Sequence, residues 1–362
     1  MTRATVAKIS LANIKHNYEL ANQFAPKSKN MPVIKANAYG HGAIEVAKSL
    51  EAIVPAFGVA IAEEAIFLRQ NGINNNILIF QGVTTNEELE IVRRNKLWTT
   101  VHSYQQLKLI LSSPSEIEIK IWLKVDTGMH RLGLNSEEFA KALKLIQKCS
   151  WIDKDIVISS HFSSSNELAT DKNEVQLKRF NRLLTENSVS DTQLSIANSA
   201  ALVNIANSCF HWNRPGIMLY GLPLFDSPHS SDKLLKPAMR FESEVISLRE
   251  VEVGESVGYG ESWTAERSSK IATIAVGYAD GYPKQAQNGT PVFIGGQKAP
   301  LVGAVSMDLI TVDVTDVESV KIGDKVELWG ENLCANEVAS FSGTIGYDLI
   351  CGISSRVIRT YQ

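Results

Sequence analysis

The stretch "MPVIKANAYGHGA", Met31 to Ala43, is an apolar run that stops at a lysine and passes at once into small and polar residues. The run reads as a buried strand, and the turn after it separates two fold classes. A doubly wound open sheet normally shows a glycine-rich GxGxxG turn after its first strand, where backbone N–H groups receive a phosphate. No such turn comes after Val33 and Ile34. That favours a barrel, with the open sheet as runner-up. Lys35 itself has two readings. It marks where the strand meets water, or it is a partly desolvated amine able to attack a carbonyl and form a Schiff base.

Outward from this stretch, short apolar runs alternate with longer amphipathic ones up to about residue 221. The runs are "PVIKA", "AFGVAIA", "NILIFQG", "LWTTVH", "IKIWLKV", "IVISSHF", "QLSIAN" and the segment around "GIMLYG". Between them, "AIEVAKSLEAI", "AEEAIFLRQNG", "NEELEIVRRN", "SYQQLKLILSS", "SEEFAKALKLIQKC" and "EVQLKRFNRLLTEN" have helical periodicity. Continuous apolar strands crossed by helices imply a parallel sheet, and eight of them suggest an α/β fold of the (β/α)8 barrel type over residues 11–237. After the linker-like "DSPHSSDKLLKPAM" the pattern changes to short β-type runs with turns, such as "KIATIAVGYADGYP" and "GDKVELWG". Residues 238–362 therefore read as a separate, mainly-β domain with one helical segment near "NEVASFSG".

Composition narrows the function. Lys+Arg 36 against Asp+Glu 39 gives a net charge of −3, which makes no electrostatic case for nucleic acid or an anionic membrane. No run approaches the roughly 18 apolar residues of a membrane helix, and "MTRATVAKIS" has no signal-peptide core, so a cytoplasmic protein is expected. Cys149, Cys209, Cys334 and Cys351 form no CxxC pair, and no HExxH is present; neither disulfides nor a metal site is expected.

In a barrel the chemistry sits at the C-terminal strand ends. Lys35 and Tyr39 come after the first strand, Lys124, Asp126 and Arg131 after the fifth, His161 after the sixth, Asn198 and Ser199 after the seventh, and Arg214 and Gly216 at the eighth. Loops after strands seven and eight commonly cradle a phosphate with hydroxyls and backbone N–H groups. Ser199 is equally readable as a helix cap, and Arg-Pro-Gly as a common turn. Together with a lysine on the same rim they point to pyridoxal phosphate bound through Lys35.

The segments "VIKANAYGHG", "KVDTGMHRLG", "SHF", "NSAA", "NRPGIMLYG", "VGYGESW", "VGYADGYP", "VSMDLITVDV" and "GYDLICGISSRVIRTY" carry a resemblance over nearly the full length. The chain resembles the pyridoxal-phosphate-dependent alanine racemases. The resemblance implies an isomerase that interconverts L- and D-alanine by two-base α-proton exchange, supplying D-alanine for peptidoglycan. It implies that residues 1–10 run as a strand of the β domain, and that two subunits form a homodimer with shared active sites. Lys35 would hold the cofactor and serve as base for D-alanine, and Tyr259 of "VGYGESW", from the partner, would serve L-alanine. Tyr39, Ser199, Gly216, Ile217 and Tyr347 would hold the phosphate, Arg131 and the backbone of Met307 the substrate carboxylate. Arg214 would face the pyridine nitrogen and hydrogen-bond to His161. Lys124 matches a lysine that carries a carbamate in some relatives.

The residue types suit this chemistry on their own terms. Racemisation needs two acid–base groups on opposite faces of one carbon, and Lys with Tyr meets that need. A guanidinium does not release its proton, so Arg214 would leave the pyridine ring neutral and favour return of the proton to the α-carbon. An amino-acid decarboxylase on the same barrel generally places an acid at that position. The chain departs from the typical racemase at Asn166, Ala304 and Lys284, where an Asp and two Arg are usual. Loss of the ion pair between the first two leaves open a broader alanine/serine specificity.

Overall fold

The apolar runs of the first part of the chain become parallel strands, because each is buried on both faces. The computed structural model describes residues 4–362. After β1 (Val6–Ile9) come the eight barrel strands β2 (Lys29–Asn30), β3 (Ala56–Val59), β4 (Asn76–Ile79), β5 (Trp98–Val101), β6 (Ile121–Lys124), β7 (Val157–Ser159), β8 (Gln193–Asn198) and β9 (Trp212–Arg214). They pair in the order β2-β9-β8-β7-β6-β5-β4-β3. Val33 closes the ring: it bridges Gly58 of β3, and the Gly58 N–H donates to the Pro32 carbonyl at 2.8 Å. Met31, Ala56, Leu78, Trp122, Val157 and Trp212 fill the interior as a cluster of their own. Trp98, Trp122 and Trp212 interlock there, with ring centroids 5.6–6.5 Å apart. Lys29 and Lys120 lie over two of these rings at the strands' starting end. The barrel is therefore a packed core, which leaves the opposite rim for chemistry.

Some helices between strands begin at side-chain caps. Thr85 and Glu88 form a capping box before Asn86–Arg94, and Asn135 and Glu138 do the same before Ser136–Lys148. Two strand expectations need correction. The first strand pairs at Lys29–Asn30 and touches its other neighbour only at Val33, while Lys35 already opens a helical turn. Pro32 lacks an N–H, which limits the ladder there. The eighth strand is Trp212–Arg214, and "IMLY" (Ile217–Tyr220) is a buried 3₁₀ turn. Pro215 ends the ladder, and the turn packs under a helix, Leu11–Phe24, that the apolar pattern does not announce. Its buried residues are Ile14, Asn17, Tyr18, Leu20 and Ala21; two of the five are not aliphatic, which blurs the periodicity. Asn17 donates to the Leu219 carbonyl at 3.0 Å, tying helix to turn.

The C-terminal domain is built on one long strand, β10 (Met239–Val251). It pairs antiparallel with β1, with Lys325–Trp329 and with Ser269–Ile274. Ile358–Tyr361 adds in parallel on the far side of β1, so both described ends of the chain meet in this sheet. Of the strand expected over residues 1–10, residues 1–3 lie outside the described residues. Besides the expected helix, here Ala335–Ser340, a second one runs Gly346–Cys351 and brings Tyr347 toward the barrel rim.

Candidate active site

Lys35 stands at the head of an unusual turn. Ala36, Asn37, Ala38 and Tyr39 all have left-handed φ, 51°, 53°, 53° and 52°. Left-handed backbone costs an L-residue roughly 1–2 kcal/mol, so four in succession need external support. The Gly40 N–H donates to the Ala36 carbonyl at 3.0 Å, and the Asn37 side-chain oxygen accepts from the Ala43 N–H at 2.9 Å. His41, wholly buried, faces the carbonyls of Ala38 and Tyr39 with Nδ1 at 3.1 and 2.9 Å. Arg359 clamps the Gly40 carbonyl at 2.6 Å. The turn sends Tyr39 inward, stacked on Tyr220 at 4.7 Å and 6.2 Å from the Tyr347 ring.

Next to Tyr39 lies a cradle of hydroxyls and N–H groups. Ser199 opens the helix Ser199–Asn204, and its Oγ accepts from the N–H groups of Gly216 at 2.9 Å and Met218 at 3.3 Å. A Cβ on Gly216 would stand 2.7 Å from the Tyr39 hydroxyl, so only glycine leaves that approach open. The structure thus brings Tyr39, Ser199, Gly216 and Ile217 to one place, with Tyr347 at its edge.

The other side of the rim is cationic. Arg214 is buried and donates to the Ser195 hydroxyl, to the Ser160 carbonyl at 2.6 Å and to the Ile196 carbonyl at 3.3 Å. It also reaches His161 Nδ1 at 3.3 Å; a guanidinium can only donate, so that nitrogen is the acceptor. Burial pushes Arg214 down to about 10, which leaves it charged at neutral pH. Burial, then Arg214, Lys124, Arg131 and Lys35, hold His161 well below the usual imidazole range. Lys124 is pushed down to about 8 by burial first, then by Arg214, Arg131 and Lys35. Lys35 is lowered by burial and by Arg131, with Glu64 and Cys351 acting the other way. The Arg131 side chain has no hydrogen bond or ion pair among the described residues. Asp126, which opposes the cations at Lys124, is itself held by the N–H groups of Gly128 and His130 and by the His130 ring.

So many cations with so few facing carboxylates call for an anionic ligand. A glycine-lined hydroxyl cradle beside a lysine with a lowered pKa fits an aldehyde that carries a phosphate. These residues fit pyridoxal phosphate.

Tyr259 and Met307 stand apart. Tyr259 tips a hairpin between Ser256–Val257 and Trp263–Thr264 and is 75% exposed; Met307 is 53% exposed. Their loops adjoin, since a Cβ on Gly258 would lie 3.3 Å from the Ala304 N. Among the described residues, no hydrogen bond or ring contact links either side chain to the barrel rim. Asn166 donates to both carboxylate oxygens of Asp226 at 2.8 and 2.9 Å, and Lys284 donates to the Val305 carbonyl at 2.9 Å. Asp226, Tyr220, His41 and Ser195 did not stand out in the sequence. Tyr220 and His41 carried a signal only through their places in "GIMLYG" and "VIKANAYGHG".

A family model described as the alanine racemase N-terminal domain matches residues 9–223, and one for the alanine racemase C-terminal domain matches residues 238–361. The alanine racemase of Pasteurella multocida is 40% identical over 359 residues, 99% of each chain. That of Legionella pneumophila is 39% identical over 357 residues, again 99% of each. The crystal structure of the biosynthetic alanine racemase from Pseudomonas aeruginosa superimposes with a TM-score of 0.95 at 41% identity, covering 100% of both chains. The Bartonella henselae alanine racemase, described with covalently bound pyridoxal phosphate, gives 0.91 at 31% identity over 99% of each chain.

Proposed function

The chain belongs to the alanine racemase family and is an isomerase interconverting L- and D-alanine, and from that premise we propose that Lys35 and Tyr259 exchange the α-proton from opposite faces. The observation that carries the reading is the Lys35 amine, lowered by burial and set on a strained turn beside an anion cradle. Pyridoxal 5'-phosphate, which Lys35 would hold, would supply an electron-withdrawing ring that makes the α-proton acidic. Tyr39, Ser199, Gly216, Ile217 and Tyr347 hold its phosphate. Arg214, with His161 as acceptor, would meet the ring's nitrogen with a donor that keeps its proton, where an acid would protonate it.

Arg131 and the Met307 backbone hold the substrate carboxylate, which orients the α-carbon between the two bases. Lys35 takes or returns the proton on the D face. Tyr259 does so on the L face. The exposure of Tyr259 and Met307 supports a homodimer in which each β domain completes its partner's site. Residues 11–237 form the cofactor-binding unit and 238–362 the completing one. The product D-alanine serves peptidoglycan in a cytoplasmic setting.

Lys35→Ala should abolish racemisation, and a mixture of Lys35→Ala with Tyr259→Phe chains should regain part of it through one intact hybrid site. No recovery in verified heterodimers would remove the shared site.

A further inference from the structure

The left-handed turn after Lys35 begins with an N–H that the turn itself does not use. That N–H belongs to Ala36, so it lies in the peptide plane joining Lys35 to Ala36. It donates to Glu64 Oε1 at 2.6 Å. The other oxygen of the same carboxylate, Oε2, accepts from the Ala60 N–H at 2.7 Å. Glu64 sits in the first turn of helix Ala62–Gln70, and the bond to Ala60 alone would be an ordinary return to a helix start. The bond to Ala36 is different in kind. It joins the loop after β2 to the loop after β3, through two short charge-assisted hydrogen bonds.

We propose that Glu64 is a positioning residue for Lys35: by accepting from Ala36 and Ala60 together, its carboxylate fixes the peptide plane that aims the Lys35 amine. The proposal rests on the reading of Lys35 as the cofactor lysine. Of the ionisable groups around Lys35, Arg131, Lys124 and His161 are cations or neutral, and Cys351 is a thiol that burial pushes up to about 11. Glu64 is thus the carboxylate among them. It acts twice, through geometry on the plane and through charge on the amine.

Two variants separate these actions. Glu64→Gln keeps one acceptor and loses the charge. Glu64→Asp keeps the charge but is too short to span both N–H groups. The experiment tracks capture of pyridoxal 5'-phosphate by the apoprotein over a range of pH, with borohydride trapping and peptide mass mapping of the labelled lysine. Near-UV circular dichroism measures the folded fraction of each variant.

For Glu64→Gln the plateau capture rate should fall about tenfold, the worth of one hydrogen bond to a charged group. Its pH midpoint should move down, because an anion that favoured the protonated amine is gone. For Glu64→Asp the plateau should fall with the midpoint unmoved. Wild-type plateau rates in both folded variants, or losses equal to the unfolded fraction, overturn the role of Glu64. Trapping at a lysine other than Lys35 in the unsubstituted protein overturns the Lys35 reading itself, and the positioning role with it.

Discussion

Gly216→Ala tests the cradle with a single methyl group. The new Cβ would stand 2.7 Å from the Tyr39 hydroxyl, where ordinary contact begins at 3.4 Å, so the oxygen must retreat by 3.4 − 2.7 = 0.7 Å. Tyr39 has little freedom to do so. Its ring is buried and stacked 4.7 Å from Tyr220, which in turn lies 4.5 Å from the His41 ring. Behind them stands the left-handed turn, fixed at both ends. Overpacking of this kind costs about 1–3 kcal/mol. If Tyr39 and the Gly216 N–H must share one phosphate, that strain falls on the bound state, and affinity for pyridoxal 5'-phosphate drops about ten- to a hundredfold. Fluorescence titration of the apoprotein measures the affinity, and urea unfolding of the same sample measures any general destabilisation. Unchanged affinity would refute the placement of the phosphate beside Tyr39.

Other consequences are independent of that cradle. His41, buried and pushed down to about 4 from 6.5, stays neutral in the folded state while the unfolded chain protonates near 6.5. Between those values the unfolded state binds more protons, so stability is full above pH 6.5 and falls by up to about 3 kcal/mol as pH drops toward 4. His41→Gln should reduce that slope in urea unfolding, and an equal slope would assign it elsewhere. Lys124, pushed down to about 8, is partly neutral in mild alkali and so able to take up carbon dioxide. Labelled bicarbonate should give a carbamate NMR resonance that Lys124→Arg abolishes; its absence from the natural chain would dispose of the modification. Asn166 is bound to Asp226 instead of entering an ion pair with residue 304, which is alanine. Kinetics over an amino-acid panel should show serine turnover beside alanine, reduced in Asn166→Asp with Ala304→Arg. Strict alanine preference in both chains would reject the broader specificity.

The parts legible in the sequence were those where one residue type has one physical use. Trp122, Val157 and their neighbours announce strands because an unbroken apolar run has nowhere to go but a core. Thr85 with Glu88 and Asn135 with Glu138 announce helix starts through spacing alone. The eighth strand was displaced because "IMLY" is as apolar as a strand, and only packing beneath Leu11–Phe24 makes it a turn. The left-handed turn of Ala36–Tyr39 had no signature, since alanine and tyrosine ordinarily avoid that region and the one asparagine, Asn37, favours it only as a single residue. Its supports, His41, Glu64 and Arg359, are distant in sequence or bind backbone atoms, so spacing does not reveal them. Asp226 was hidden for a similar reason: it lies 60 positions from Asn166 within a linker-like stretch.

The central claim is that two different bases serve the two faces of one α-carbon. It is tested most directly by measuring α-deuterium exchange from L-alanine and from D-alanine separately, in solvent D2O, with the natural chain and with Tyr259→Phe. The account predicts that the variant loses exchange from L-alanine far more than from D-alanine, because Lys35 still serves the D face. Equal losses from both enantiomers would contradict it.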